Sequence, residues 1–125
     1  MNKKIIHSNN APAAIGAYSQ AVAAGGAVYI SGQLGLIAAS GVLGEGFTEQ
    51  SHLMFKNLDA ICQAAGGTLS DIVKINIFMT DLVHYTELNQ IMGEYFSAPF
   101  PARAVLQVSA LPKAGLVEAD AVLVL

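Results

Sequence analysis

The chain has 125 residues, of which 54% are hydrophobic and 12% are charged, and its formal net charge is −3. An average soluble domain has about 25% charged residues, so six basic and nine acidic side chains are few for the large relative surface of a small domain. One cysteine cannot form an intrachain bridge, which excludes a disulfide scaffold. A membrane protein and an oligomer that covers apolar surface are the two remaining explanations.

The apolar N-terminal part of the chain favours strands and turns over a membrane helix. No Asp, Glu, Lys or Arg occurs from Ile5 to Gly44, and the stretch from Ala21 to Ala39 is nearly hydrophobic enough to span a bilayer. Four glycines interrupt that stretch, and no basic cluster flanks it. We therefore expect no membrane partner, a cytoplasmic location with Cys62 reduced, and an oligomer as the reason for the missing charge.

The apolar periodicity predicts the element order β-β-β-α-β-α-β-β in one domain spanning residues 1–125. The predicted strands are Lys4–His7, Ala17–Ala24, Ala27–Gln33, Ile72–Met79, Arg103–Ser109 and Val117–Leu125. The predicted helices are Thr48–Ala65 and about Tyr85–Ser97. Turn and cap residues support these bounds: Gly25-Gly26 predicts a two-residue hairpin, Thr48 an N-cap, and Gly66-Gly67 a helix stop.

Strands separated by two helices indicate an α+β fold, with one mixed sheet and both helices on one face. The other face would be bare, and its low charge makes it the expected oligomer surface. Alternation along Ile72–Met79 predicts that Val73, Ile75, Ile77 and Met79 share one face.

Several classes of site are disfavoured by the residue pattern. The six basic residues are scattered, which argues against nucleic acid as a main partner. His7, His52 and His84 lack metal-ligand spacing, so we expect no metal. Cys62 lies beside the apolar stripe of the first predicted helix and is interpreted as a buried small hydrophobe.

Arg103 and Glu118 are the charged residues that most need an explanation. Arg103 opens an apolar strand, where its guanidinium could form a structural salt bridge or bind a carboxylate or phosphate. Glu118 shares a strand face with Asp120, either as part of an exposed polar face or as a partly desolvated general base. On neighbouring strands, as we expect them to be, Arg103 and Glu118 could bind an anionic substrate and deliver water to it.

Five segments in order make the chain resemble the RidA (YjgF) family of reactive-intermediate deaminases along nearly its whole length. The segments are Ala11–Gln20, Ser31–Gln33, Asp71–Lys74, Phe100–Arg103 and Val117–Ala119. The resemblance implies a chorismate-mutase-like fold and a homotrimer with ligand sites at the subunit interfaces. It also implies hydrolysis of 2-aminoacrylate-type enamines or imines, produced by pyridoxal-phosphate dehydratases, to 2-keto acids and ammonia, with no cofactor.

The resemblance also assigns roles to residues of this chain. Arg103 matches the arginine that binds the substrate carboxylate, and Glu118 matches the glutamate that positions or activates water. The matching substrate-binding positions are Tyr18, Ser31, Gly32, Asn89 and, through its backbone N–H, Val105.

Two departures from the family pattern bear on turnover. Val105 stands where many deaminases have cysteine, and the stretch before Arg103 is about three residues shorter. A non-catalytic trimeric protein that binds or senses 2-keto acids or other carboxylates is therefore an alternative. Ribonuclease or translation-inhibitor activity, ascribed to some relatives, is a third reading that the acidic composition disfavours.

Overall fold

Six strands form one mixed sheet in the computed structural model, which describes residues 2–125. The strands are β1 (Lys4–Ile6), β2 (Ala21–Ala24), β3 (Ala27–Leu34), β4 (Ile72–Met79), β5 (Ala102–Gln107) and β6 (Val117–Val124). Their order across the sheet is β1-β2-β3-β6-β4-β5, and β4 and β5 are the parallel pair. The sheet edges are therefore β1 and β5.

Both helices, α1 (Gly46–Ala64) and α2 (Tyr85–Met92), pack on one face of this sheet, as predicted. The apolar stripe of α1 is fully buried at Met54, Leu58 and Ile61. The sheet contributes inward-facing residues such as Ile77 and Leu123 to the same core. Burial of this stripe on the sheet supplies the main apolar driving force for the fold.

Glycines shape two of the connections in the predicted way. Gly25 and Gly26 have φ values of 59° and 82°, which two-residue hairpin turns of this kind require, and they join β2 to β3. Gly66 has a φ of 98°, and the N–H of Gly67 donates to the carbonyl of Cys62, so α1 ends there.

The predicted start of α1 was wrong. The helix begins at Gly46, and Thr48 lies inside its first turn instead of capping it. The Glu49 carboxylate, in that turn, accepts a hydrogen bond of 2.9 Å from the N–H of Glu45. The Thr48 hydroxyl instead donates to the Glu87 carboxylate on α2 and thereby links the two helices.

The second helix is shorter than predicted, because α2 ends at Met92 and not near Ser97. Beyond Gly93 the chain continues in tighter turns, in which the N–H groups of Glu94 and Tyr95 bond to the carbonyls three residues before them. β2 likewise begins at Ala21 and not at Ala17, because the preceding residues form a loop.

The prediction that Val73 shares a face with Ile75, Ile77 and Met79 was also wrong. The pairing of β4 with β6 shifts register between Ile72 and Lys74. Such a shift inserts one residue and reverses the alternation beyond it. Ile72 consequently turns inward with 4% exposure, while Val73 is 49% exposed.

The sheet face opposite the helices is largely apolar, and we call it the open face. One register row across four strands of this face consists of Ile5, Val22, Tyr29 and Val122. Ile5 and Tyr29 are each 53% exposed, an unusual exposure for such residues in a row. Within residues 2–125, neither helix has the length and apolarity needed to cross a membrane.

Candidate functional site

Arg103 lies at the edge of the sheet, on β5, and faces the side that carries the helices. Its register partner on the parallel strand β4 is Ile75, which is fully buried beneath the helices. Residues in register on neighbouring strands share a face. The guanidinium therefore extends from the edge strand toward α2.

Three side chains of α2 hold the Arg103 guanidinium. Nη1 donates to Oδ1 of Asn89 at 2.7 Å and approaches Sδ of Met92 at 3.6 Å. Nη2 donates to the Tyr85 hydroxyl at 2.9 Å, and the guanidinium carbon lies 5.6 Å from the centroid of the Tyr85 ring. No carboxylate is involved in these contacts, so the positive charge of Arg103 is not neutralised by the groups that position it.

A pocket of about 330 Å³ opens beside this guanidinium. Its lining residues are Asn89, Met92, Gly93, Phe100, Pro101 and Arg103. Its size is at the lower end of the range for small-molecule sites, and it combines apolar walls with one cation. This combination suits a small carboxylate with a short apolar side chain.

Glu118 lies on β6 and faces the open side of the sheet, where its register partners are Leu34 of β3 and Phe78 of β4. A Cβ atom on Gly32 would lie 2.5 Å from Oε1 of Glu118. The carboxylate therefore occupies space that a side chain at position 32 would fill. Burial raises the pKa of Glu118 above its ordinary value of 4.5, and the negative charge of Asp120 raises it further.

Asp120 shares this face with Glu118, as the alternation predicted, but its surroundings differ. Its Oδ1 accepts a hydrogen bond of 2.8 Å from the Asn76 side chain on β4. Within residues 2–125, neither acid forms an ion pair with a basic side chain. The structure thus separates a hydrogen-bonded acid, Asp120, from a half-buried acid with a raised pKa, Glu118.

The expectation that Arg103 and Glu118 lie on neighbouring strands was wrong. The strand β4 lies between β5 and β6. The two residues also face opposite sides of the sheet, because Arg103 is in register with buried Ile75, while Glu118 alternates with buried Val117 and Ala119. A single chain therefore does not bring the two side chains to one ligand.

The loop before β2, which contains Tyr18 and Ser19, lies next to the part of β3 that contains Ser31 and Gly32. The Ser31 hydroxyl donates to the carbonyl of Ser19 at 2.6 Å, which ties β3 to this loop. Tyr18 is 52% exposed, and its hydroxyl accepts from the N–H of Ile15 at 3.3 Å. The structure thus places Tyr18, Ser31 and Gly32 in one region with Glu118, away from Arg103.

A buried glutamine that the sequence did not single out organises the same loop. The side chain of Gln20 accepts from the N–H of Ser8 at 2.7 Å and donates to the carbonyl of Pro12 at 2.8 Å. Because Gln20 is 2% exposed, these bonds satisfy its amide within the protein. They fix the path of the segment that leads to Tyr18.

Asn89 and Val105 belong to the Arg103 side of the molecule. Val105 is two residues beyond Arg103, in register with Ile77, and it packs half-buried against the core. Tyr85 and Met92, which also contact Arg103, were not identified from the sequence. The spacing of Tyr85, Asn89 and Met92 by four and three residues places them on one helix face, so this pattern was the signal that could have found them.

Cys62 is fully buried, in agreement with its interpretation as a core residue. Burial raises the pKa of its thiol to about 12, which removes thiolate reactivity at neutral pH. Within residues 2–125, no three His, Cys, Asp or Glu side chains are grouped as metal ligands would be.

Comparison with known proteins identifies the family. A sequence model of the family described as Endoribonuclease L-PSP matches residues 8–125. RidA from the Antarctic bacterium Psychrobacter sp. PAMC 21119 is 49% identical to this chain, with a TM-score of 0.96 over 98% of this chain and 99% of that one. The chain belongs to the RidA family.

Two further similar proteins have names or structures that describe a function or a bound ligand. The 2-iminobutanoate/2-iminopropanoate deaminase of Bos taurus is 44% identical over 98% of this chain and 90% of that protein. Escherichia coli TdcF, whose crystal structure has bound serine, is 36% identical with a TM-score of 0.94, over 98% of each chain. The predicted family and fold are thereby confirmed.

Proposed function

We propose that this RidA-family protein hydrolyses small 2-imino acids, and the enamines that tautomerise to them, to 2-keto acids and ammonia. The observation that carries the proposal is the oriented, unneutralised guanidinium of Arg103 beside a pocket of small-molecule size. The name of the bovine relative supports the reaction class. 2-Aminoacrylate-type intermediates released by pyridoxal-phosphate dehydratases are the substrate class we propose.

Arg103 binds the substrate carboxylate in this proposal. A guanidinium can donate two parallel hydrogen bonds to a carboxylate, which fixes its position and its plane. Holding the imine carbon in this way lowers the entropic cost of attack by water. The proposed contact of the Val105 backbone N–H with the same carboxylate does not depend on the side chain at position 105.

Glu118 acts on the water. Its carboxylate accepts a proton from the water as the oxygen bonds to the imine carbon and the imine π electrons move to nitrogen, and the protonated Glu118 then gives this proton to nitrogen to form the carbinolamine. Glu118 next takes the hydroxyl proton as the keto C=O bond forms and delivers it to the amino nitrogen, so that the C–N bond breaks and ammonia leaves with the bonding electron pair. Burial and the nearby Asp120 raise the pKa of Glu118, which makes its carboxylate a stronger base for this transfer than an ordinary glutamate.

A second copy of the chain completes the site in this proposal, within a homotrimer that has sites at its interfaces. Two observations support this arrangement. Arg103 and Glu118 face opposite sides of one sheet, and the open face exposes an apolar register row that includes Ile5 and Tyr29. Pairing the Arg103 side of one chain with the Glu118, Ser31, Gly32 and Tyr18 side of another brings the two halves together.

Binding without turnover is the alternative function, supported by the valine at position 105. Arg103 would serve that function equally well, since it binds the carboxylate in both cases. Glu118 favours the enzyme, because a binding protein has no need of a half-buried carboxyl with a raised pKa. The family description names endoribonuclease activity, but the six basic residues and the net charge of −3 do not favour RNA binding.

The experiment couples a threonine dehydratase to the protein and measures 2-keto acid release from the imine. Arg103→Ala and Glu118→Gln should each abolish the acceleration without loss of folding or of assembly. Arg103→Lys is the matched control: it keeps the charge but loses the planar fork, so we expect only partial activity. Tight 2-keto acid binding by an inactive wild type would establish the binding protein instead.

Co-expression of the two inactive variants tests the shared site. If Arg103 of one chain works with Glu118 of another, random mixing leaves about a quarter of the interfaces with both native residues. Activity should therefore return to about that fraction of the wild-type value. No recovery in purified mixed oligomers would show that the site is not shared.

A further inference from the structure

The Tyr85 side chain makes a contact with Arg103 that the proposed mechanism does not use. Tyr85 is the first residue of α2 and is 41% exposed. Its hydroxyl lies 2.9 Å from Nη2, and its ring centroid lies 5.6 Å from the guanidinium carbon. A guanidinium can only donate hydrogen bonds, so the Tyr85 oxygen is the acceptor.

The partners of Arg103 restrict how its guanidinium can turn. Asn89 and Met92 contact Nη1, and Tyr85 contacts Nη2. A planar group held at both terminal nitrogens cannot rotate about its own axis without losing one of these bonds. Without the Tyr85 hydroxyl, only the Nη1 side of the fork remains fixed.

The same contacts determine which donors remain for a ligand. A guanidinium has five N–H groups, and within residues 2–125 the partners of Arg103 bond to Nη1 and Nη2 but not to Nε. Nε–H and the second N–H of Nη2 therefore remain for a ligand. A bidentate carboxylate requires two adjacent donors of this kind.

We propose that Tyr85 is a positioning residue of the carboxylate site: its hydroxyl, acting through Arg103, orients the guanidinium so that Nε and Nη2 face the ligand. This inference rests on the proposed function, because it assumes that the pocket ligand is a carboxylate. The interaction is present before and during the reaction, so it contributes to binding of the substrate and not to the chemical step. It also confines tight binding to ligands with a carboxylate in one plane.

The test compares Tyr85→Phe, which keeps the ring over the guanidinium and removes the hydroxyl, with wild type. We expect KM for the imino acid to rise about three- to tenfold, the effect of one net hydrogen bond. The Kd for 2-oxobutanoate, measured by calorimetry as a stable carboxylate probe, should rise by the same factor. kcat should stay within about twofold of wild type, because bound substrate is still attacked by the same water.

Tyr95→Phe is the matched control, since it removes a hydroxyl that is bonded to His52 at 2.7 Å and does not contact Arg103. It should leave KM and Kd unchanged.

The positioning role would be overturned if the wild type is active and Tyr85→Phe has an unchanged KM and Kd. A lower kcat at constant KM in Tyr85→Phe would overturn it as well. Tyr85→Leu, which also removes the ring, should weaken binding further, and equal binding by Leu and wild type would overturn the inference even if the Phe variant misfolds. A wild type that neither binds 2-oxobutanoate nor turns over imine would instead contradict the proposed function itself.

Discussion

The surroundings of Arg103 and Glu118 differ in how completely a single chain forms them. Arg103 has hydrogen-bond partners on both terminal nitrogens, all supplied by α2. Glu118 has space created by a glycine and a pKa raised by burial and by Asp120. The comparison indicates that one chain by itself orients the guanidinium proposed to bind the substrate carboxylate, while the carboxyl group proposed to act on water is half-buried on the open face.

Substitution of Glu118 should lower kcat far more than substitution of Asp120, the other acid of the open face. Glu118→Gln should lower kcat by about 10²- to 10⁴-fold, the usual contribution of a general base. Asp120→Asn should lower it less than about threefold, because Asp120 is hydrogen-bonded to Asn76 and is not assigned to the water. A loss of similar size in both variants would contradict the distinction between them.

The pH dependence of kcat/KM also distinguishes the roles proposed for Glu118 and Asp120. The pKa of Glu118 is raised in the folded chain, so kcat/KM should fall as the pH decreases through that raised value. Asp120→Asn removes one cause of the rise and should move this acidic limb to lower pH.

The stability of the protein should depend on pH in the opposite sense. The folded chain binds the Glu118 proton more tightly than the unfolded chain does. The stabilisation by protonated Glu118 is therefore full below about pH 4.5 and is lost as the pH rises through the folded-state pKa. Glu118→Gln should therefore raise the Tm at pH 7 and have little effect at pH 4.

A smaller effect is expected from filling the space beside Glu118. In Gly32→Ala the new Cβ would lie 2.5 Å from Oε1, so the flexible carboxyl end must move while the backbone stays in place. We expect normal folding but a kcat about ten- to a hundredfold lower, because a small displacement of the group proposed to act on water would be costly. Steady-state kinetics and a thermal melt would measure the two effects separately.

A second substitution provides the control for this effect. Glu118→Asp shortens the side chain by one methylene group and relieves the contact with position 32. The double variant should therefore be no less active than Glu118→Asp alone. Independent, multiplicative losses would show that Gly32 acts through something other than the space for Glu118.

The sequence predicted those features that depend on local pattern. The Gly25-Gly26 hairpin and the shared face of Glu118 and Asp120 follow from turn chemistry and strand alternation, and both were confirmed. Alternation failed at Val73, because a register shift between two strands cannot be read from one of them. The helix start failed at Thr48, because α1 begins at Gly46 without a side-chain cap and the Thr48 hydroxyl donates to Glu87 of α2 instead.

The arrangement of the candidate site could not be predicted from the sequence, because it depends on contacts between residues that are far apart in the chain. Arg103 and Glu118 could be singled out because charged residues are rare, but the insertion of β4 between their strands is a property of the sheet order. Tyr85 was overlooked because a tyrosine at a helix start is usually explained by packing. The role proposed for Tyr85 depends on a hydrogen bond to a strand residue 18 positions away in sequence, and helix spacing alone shows only that Tyr85 shares a face with Asn89.

Substitution of Val105, which lies two residues beyond Arg103 on β5, should change kcat/KM least. Val105→Cys introduces the thiol that many deaminases have two residues after the arginine. The proposed mechanism uses only the backbone N–H at this position, so kcat/KM should change by less than about threefold, with a stability cost below about 1.5 kcal/mol for one small core truncation. Val105→Ala, which removes apolar volume without adding sulfur, controls for packing. A tenfold gain in kcat with Cys but not with Ala would mean that a thiol assists the reaction, and that the Arg103 side contributes to the chemical step as well as to binding.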